Sequence, residues 1–129
     1  MGQGRSRGLT LDTGALLALE RGKREMALLL REALDGGGVA VPSGVLAQSW
    51  RGGARQARIG ALIGDHRVEV PALDRAAALA IGRILAATGV ADVVDGQVVL
   101  VATARGDLVL SSDATDLHQL APVLPVMEV

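Results

Sequence analysis

The chain contains no cysteine, no phenylalanine and no tyrosine, and its one large aromatic ring belongs to Trp50. Without thiols, disulfide frameworks, zinc–thiolate sites and cysteine nucleophiles are excluded. Without aromatics there is no stacking platform of the kind on which single-strand binders lay successive bases. The core has to be packed from Ala, Val, Leu and Ile. Histidine is scarce as well: His66 and His118 are too few for an imidazole-rich metal site. Any bound metal would rest on oxygen ligands, the preference of Mg²⁺ or Mn²⁺. No apolar stretch is long enough to span a bilayer. The Gly- and Arg-rich residues 1–8 lead into a short apolar segment broken by Asp12, so neither a signal peptide nor a membrane anchor is expected, and the cytoplasm is the default location.

What is present is 129 residues, half of them apolar, enough for a single domain over residues 1–129 with a real core. The formal net charge of −1 does not advertise nucleic-acid binding. It conceals two local patches of opposite sign. Arginines gather at Arg51, Arg55 and Arg58, with Arg21, Lys23 and Arg24 earlier, while aspartates gather at residues 92–95 and 107–116.

Short β-type runs alternate with longer helical patterns, without internal repeat or linker, which predicts βαβ units around a parallel sheet. Residues 9–12 read as a first strand and residues 15–19 as the start of a helix. A second helix over residues 23–34 carries Met26, Leu30, Ala33 and Leu34 on one face and is stopped by Asp35 and three glycines. A short strand over residues 39–41 ends at Pro42, and Ser43 is placed to cap the helix that carries Val45, Leu46 and Trp50. Gly52 and Gly53 interrupt that pattern before it resumes over residues 55–63. Residues 67–70 alternate as a third strand. Asp74 opens an amphipathic helix that keeps its period to Gly89. Residues 93–104 favour a strand on propensity, through Val98, Val99 and Val101, but their length and lack of turn signals predict a buried helix. Residues 108–110 read as a fourth strand, 114–120 as a helix and 123–126 as an edge strand between two prolines.

On this layout Asp12 terminates the first strand, Asp113 follows the fourth, and Asp92 and Asp95 open the helix between. In an open parallel sheet, ligands bind beyond the carboxyl ends of strands where connections diverge, so these acids can converge on one crevice. Asp92 and Asp95 lie one helical turn apart on one face. Carboxylates crowded together repel, and a hydrated Mg²⁺ ion is the simplest neutralising partner. Singly, each aspartate is accounted for as a helix N-cap, a role for which Asp is preferred. Jointly, with strand-end placement at both Asp12 and Asp113, a shared metal is the better account.

The chain resembles the PIN-domain nucleases, specifically the VapC-like toxins of toxin–antitoxin pairs. The resemblance rests on Leu11-Asp12-Thr13-Gly14, on Val41-Pro42 leading to Trp50-Arg51, and on Asp92-Val93-Val94-Asp95-Gly96 ahead of Ser111-Ser112-Asp113, and it spans residues 9–126. It implies a PIN-like three-layer α/β/α fold with a central four- to five-stranded, mainly parallel sheet. It also implies a Mg²⁺ or Mn²⁺ site, endoribonuclease activity, a VapB-like antitoxin partner and a homodimer. By position, Asp12, Asp95 and Asp113 would be the principal metal-binding acids, with Asp92 and Asp116 as further acids and Ser111 as an orienting hydroxyl. Thr13 would be an auxiliary orienting group.

The chain departs from the family at Gln48, which stands where a glutamate is usual; a carboxamide brings no charge and is a poor base. Two readings stay open: a metal-dependent ribonuclease in which Asp92 or Asp116 compensates, or a weakened module that binds RNA or protein without cutting. A phosphoryl-transfer domain built on Asp12 lacks a paired acid around it and a late-strand lysine. Arg51, Arg55 and Arg58 recur at spacing four then three, as a solvated helical face or as a stripe for RNA phosphates or for an antitoxin segment. Trp50 reads as a core or interface anchor, and His66 and His118 take no role.

Overall fold

The computed structural model describes residues 7–129; residues 1–6, most of the segment read above against a signal peptide or anchor, lie outside the described residues. Five strands form one sheet: β1 (Leu9–Leu11), β2 (Val39–Ala40), β3 (Val68–Glu69), β4 (Leu108–Ser111) and β5 (Val126–Glu128). Their order is β3-β2-β1-β4-β5 and every pairing is parallel. The sheet is thus five-stranded and parallel throughout.

Seven α-helices connect the strands: α1 (Thr13–Glu20), α2 (Arg24–Leu34), α3 (Ser43–Ser49), α4 (Ala57–Gly64), α5 (Arg75–Thr88), α6 (Val93–Arg105) and α7 (Ala114–Leu120). From β1 the chain steps outward to β2 and β3 through the first four helices. It then returns past β1 to β4 through α5 and α6, and reaches β5 through α7. Right-handed crossovers run in opposite directions place the two groups of helices on opposite faces. Accordingly α1 packs with α2, α3 and α4, and α6 packs with α5 and α7. This is the three-layer α/β/α arrangement expected, with its reversal point between β1 and β4.

The core between the layers is aliphatic, as the composition demands: Leu11, Leu16, Met26, Ile59, Val98, Leu110 and Leu117 are fully buried. Residues 93–105 form a helix in spite of their valines because Val98, Val99, Val101 and Ala102 are all buried in it, and burial overrides a propensity difference of this size. Asp92 caps its start and Gly106, at φ 72°, ends it in the left-handed region that glycine favours. No single described helix is long and apolar enough to cross a membrane.

Four expectations are corrected. The first strand stops at Leu11, because Asp12 is already the cap of α1. Ser43 is not a cap: Pro42 occupies that position, and the Ser43 hydroxyl instead accepts from the Leu73 N–H and the Gln97 side-chain amide. Trp50 falls just beyond α3, whose end it forms. The last strand begins at Val126 rather than Val123, which is 94% exposed; Pro125 serves it only as a carbonyl, accepting from Val109 N–H.

Candidate active site

The reversal point between β1 and β4 gathers the acids. Asp12, just past β1, is 8% exposed and accepts the Ala15 N–H at 2.9 Å, capping α1. Asp113, just past β4, accepts the Thr115 N–H at 3.0 Å at the start of α7. Asp92 accepts the Asp95 N–H at 2.9 Å at the start of α6, and Asp116 lies in the first turn of α7. So Asp12, Asp92 and Asp113 all serve as caps, the simpler role foreseen for them. Capping and ligation do not compete, because each cap bond uses one oxygen lone pair and leaves the rest of the carboxylate available.

Two contacts draw the β1 and β4 ends together. The Ser111 hydroxyl, fully buried, bonds the Asp12 carboxylate and accepts the Asp113 N–H at 2.9 Å, so one side chain orients both segments. Gly14 closes against the loop after β4: a Cβ there would stand 1.8 Å from Ser112 Oγ and 2.5 Å from its Cβ. Only a residue without a side chain lets the two strand ends approach so closely.

The electrostatics follow from that crowding. Burial, above all, raises the Asp12 pKa; hydrogen bonds from Ser111, Ala15 and Gly14 pull it the other way, and the charge of Asp113 adds to the rise. Asp95 is pushed up from 3.8 to about 6, first by burial and then by the charges of Asp92, Asp12, Asp116 and Asp113. The other four sequence-predicted acids thus all act on Asp95. No lysine or arginine among the described residues forms an ion pair with any of them.

Among the described residues no three histidine, aspartate or glutamate side chains are already arranged as a ligand cage. The donors nonetheless suit a hard cation. They are carboxylate and hydroxyl oxygens with excess negative charge, and Mg²⁺ characteristically binds through one or two carboxylates with water in the other positions.

The remaining predicted residues divide. Gln48 does reach the site: its Oε1 accepts the Thr13 hydroxyl at 2.6 Å, and Thr13 follows Asp12 directly. Arg51, Arg55 and Arg58 do not form one stripe. The helix α3 ends at Ser49 with Trp50 already extended, and Gly52 and Gly53, at φ 78° and 103°, keep the chain out of helix, so Arg51 sits on the turn, Arg55 on a 3-10 turn over Ala54–Gln56, and Arg58 in α4. Trp50 is 39% exposed and its ring lies near Gly60 of α4. His118 contacts the Leu124 carbonyl at 2.9 Å, and His66 is exposed.

Sequence reasoning missed two buried carboxamides that hold the surroundings of the site. Gln97, fully buried, accepts the Gly44 N–H and donates to Ser43 Oγ and the Pro71 carbonyl, tying α6 to the start of α3. Gln56, 5% exposed, accepts from the N–H groups of Arg51 and Gly52 and donates to Glu20 and to the Ser49 carbonyl. For Gln97 the signal was available: a lone amide within an apolar helical run.

No family model matches the sequence, nor does any curated protein. Solved structures match it in shape. A chain of VapBC2 from Rickettsia felis, bound to a DNA fragment from the promoter, aligns with a TM-score of 0.69 at 13% identity, over 95% of this chain and 98% of that one. FitAcB from Neisseria gonorrhoeae gives 0.62 at 16% identity, over 92% and 96%. VapBC-5 from Mycobacterium tuberculosis, of the VapBC family of toxin–antitoxin systems, gives 0.55 at 24% identity, over 96% and 98%. Over nearly its whole length, the chain has the PIN-like fold found in these VapBC and FitAcB assemblies.

Proposed function

We propose that this chain is the toxin of a toxin–antitoxin pair, a Mg²⁺- or Mn²⁺-dependent endoribonuclease acting in the cytoplasm. The observation that carries the reading is Asp95, half-buried among four other carboxylates with its pKa pushed up to about 6. Capping accounts for Asp12, Asp92 and Asp113 one by one but not for Asp95, and perturbed groups of this kind concentrate at functional sites. Their place at the sheet's reversal point is where open α/β folds bind ligands.

Asp12 and Asp95 would be the principal holders of the cation, with Asp113 beside them and Asp92 and Asp116 adding charge. When bound, the cation would activate water for attack on a phosphodiester and neutralise charge on the leaving oxygen. The protein's own work is positional. Ser111 fixes the Asp12 carboxylate, the α1 and α6 starts present their acids from opposite sides of the sheet, and Gly14 keeps the two strand ends close. An antitoxin partner is supported by the VapBC-type assemblies that share the fold, and the homodimer rests on the family resemblance alone.

The test is RNA cleavage by the purified chain with Mg²⁺ or Mn²⁺, comparing wild type with Asp12→Asn and Asp95→Asn, each checked for folding by circular dichroism. Both variants should be folded and inactive. Undiminished cleavage in both would sink the reading. Gln48 favours one alternative, a module that binds without cutting, because its neutral amide stands where an acid is usual. In Gln48→Glu, metal-dependent activity rising from near zero would select that alternative; little change would show that glutamine is native to a working site.

A further inference from the structure

The three arginines fall beside two different cavities. Arg58 lines one between α1, α2 and α4, where Asp35 and Asp65 also stand. Arg51 and Arg55 line another, of about 460 Å³, whose wall includes Gln48. The geometry points to this second cavity as a subsite for an RNA backbone phosphate, held by Arg51, Arg55 and the Gln48 amide. The inference rests on the nuclease reading and specifies how substrate would lie along the protein.

Position is the first support. Gln48 bonds Thr13, which follows Asp12 in the chain, so the cavity wall is tied to the start of α1, which Asp12 caps. A strand whose scissile phosphodiester lies at the site's carboxylates is covalently obliged to place a neighbouring phosphate nearby. An acidic peptide has no such anchor, and for that reason RNA is the occupant assigned.

Charge is the second. Glu20 is the one acid in the cavity wall, and its Oε1 accepts the Gln56 amide at 2.7 Å. The Arg51 guanidinium donates only to carbonyls, those of Ala47 and Trp50, which fix it without neutralising it. Arg55 makes no hydrogen bond or ion pair with any described residue. By contrast Arg67 and Arg105 are both paired with carboxylates.

Pre-organisation is the third. Gln56 is buried beneath this turn and satisfies its N–H groups, while Gly52 and Gly53 supply the left-handed conformations the turn requires. With its contacts made, this buried carboxamide holds the turn, and the arginines beside it, in one place. Gln48 completes the set. With Oε1 committed to Thr13, its NH₂ group is what it has to offer a ligand, and that group only donates. Glutamate in its place would bring acceptors and a negative charge. On this account the departure at Gln48 builds a substrate contact.

The experiment measures affinity of the full chain for a short fluorescein-labelled single-stranded RNA by anisotropy in EDTA, so that binding is read without turnover. Arg55→Glu should weaken binding about tenfold or more, and Arg55→Gln should lower the slope of log affinity against log salt by about 0.7, one phosphate contact on a single strand. Gln48→Glu should weaken binding severalfold, while Arg83→Glu on distant α5 should leave it unchanged. Unchanged RNA affinity in both Arg55→Glu and Gln48→Glu overturns the subsite. So does a Gln48→Glu variant that gains Mg²⁺ affinity and keeps its RNA affinity, which returns the position to metal binding. Loss of a glutamate-rich peptide's binding in Arg55→Glu with RNA affinity intact assigns the cavity to an acidic protein. A chain that binds RNA through Arg55 yet never cuts would overturn the nuclease reading and leave the subsite standing.

Discussion

Two aspartates of this chain are almost equally buried and lead opposite lives. Asp107, 3% exposed, lies at the entrance to β4, where it accepts from Thr10 Oγ1 at 2.8 Å and from Arg105 Nε at 2.6 Å. Arg105 in turn pairs with Glu69, so the charges at that end of the sheet alternate in sign. Asp12, 8% exposed, lies at the exit of β1, and the charged group acting on it is another carboxylate, Asp113. A buried carboxylate with a guanidinium beside it is part of the scaffold. A buried carboxylate whose charged neighbour is another carboxylate is held in an unfavourable state by the rest of the fold.

That contrast breaks if the two positions respond alike to the same substitution. The largest effect is expected at the exit end. Asp12→Asn should cost about a hundredfold or more in metal-dependent cleavage with little change in thermal unfolding. Asp107→Asn should do the reverse, leaving Arg105 without its buried partner at a cost of about 3 kcal/mol, read as a lowered midpoint in thermal or urea unfolding. Loss of activity in the Asp107 variant at a temperature where it is fully folded would erase the distinction.

A smaller effect should come from Gly14→Ala, whose new methyl collides with Ser112. Overpacking of this kind costs about 1–3 kcal/mol. Because the collision wedges the β1 and β4 ends apart, metal affinity measured by titration should fall along with stability. A variant destabilised but unaltered in metal affinity would show that the closeness of the two ends serves packing alone.

The smallest effect is on pH dependence. The folded-state pKa of Asp95, about 6, lies above its ordinary value of 3.8. Its contribution to stability is therefore fully present below about pH 4 and is lost as pH rises through about 6. In urea unfolding without divalent ions, Asp95→Asn should remove part of that decline and be relatively more stable than wild type at pH 7.5 than at pH 4.5. Added Mg²⁺ should raise the midpoint more at pH 7.5 than at pH 5, since the ion binds the ionised form. An Asp95→Asn difference that is flat across this range would show that its carboxylate is not under strain.

The exit-end acids were legible in the sequence because they stand where local patterns change. Asp12, Asp92 and Asp113 each end one pattern and begin a helix, and caps are local features. The fold was legible for the same reason, down to the valine-rich helix over residues 93–105. The entrance-end pair was not, because Thr10 and Asp107 lie 97 residues apart and neither interrupts a period. Gln56 was hidden similarly, since its partners on α1 and α3 are set by packing. The arginine stripe misled because a spacing of four then three implies one face only on an unbroken helix, and α3 ends at Ser49, before the first of the three, with Gly52 and Gly53 following.

The order of the strands bears on when this chain can act at all. β1 and Asp12 leave the ribosome early, but the strand that brings Asp113 alongside them is the fourth of five, and β2 and β3 are added on the far side first. The three strands β1, β2 and β3 by themselves hold Asp12 at their edge and none of its companions. Since a single domain folds as a unit, the acids at the β1 and β4 ends meet only once β4 has joined the sheet, and any chemistry they support waits for that step.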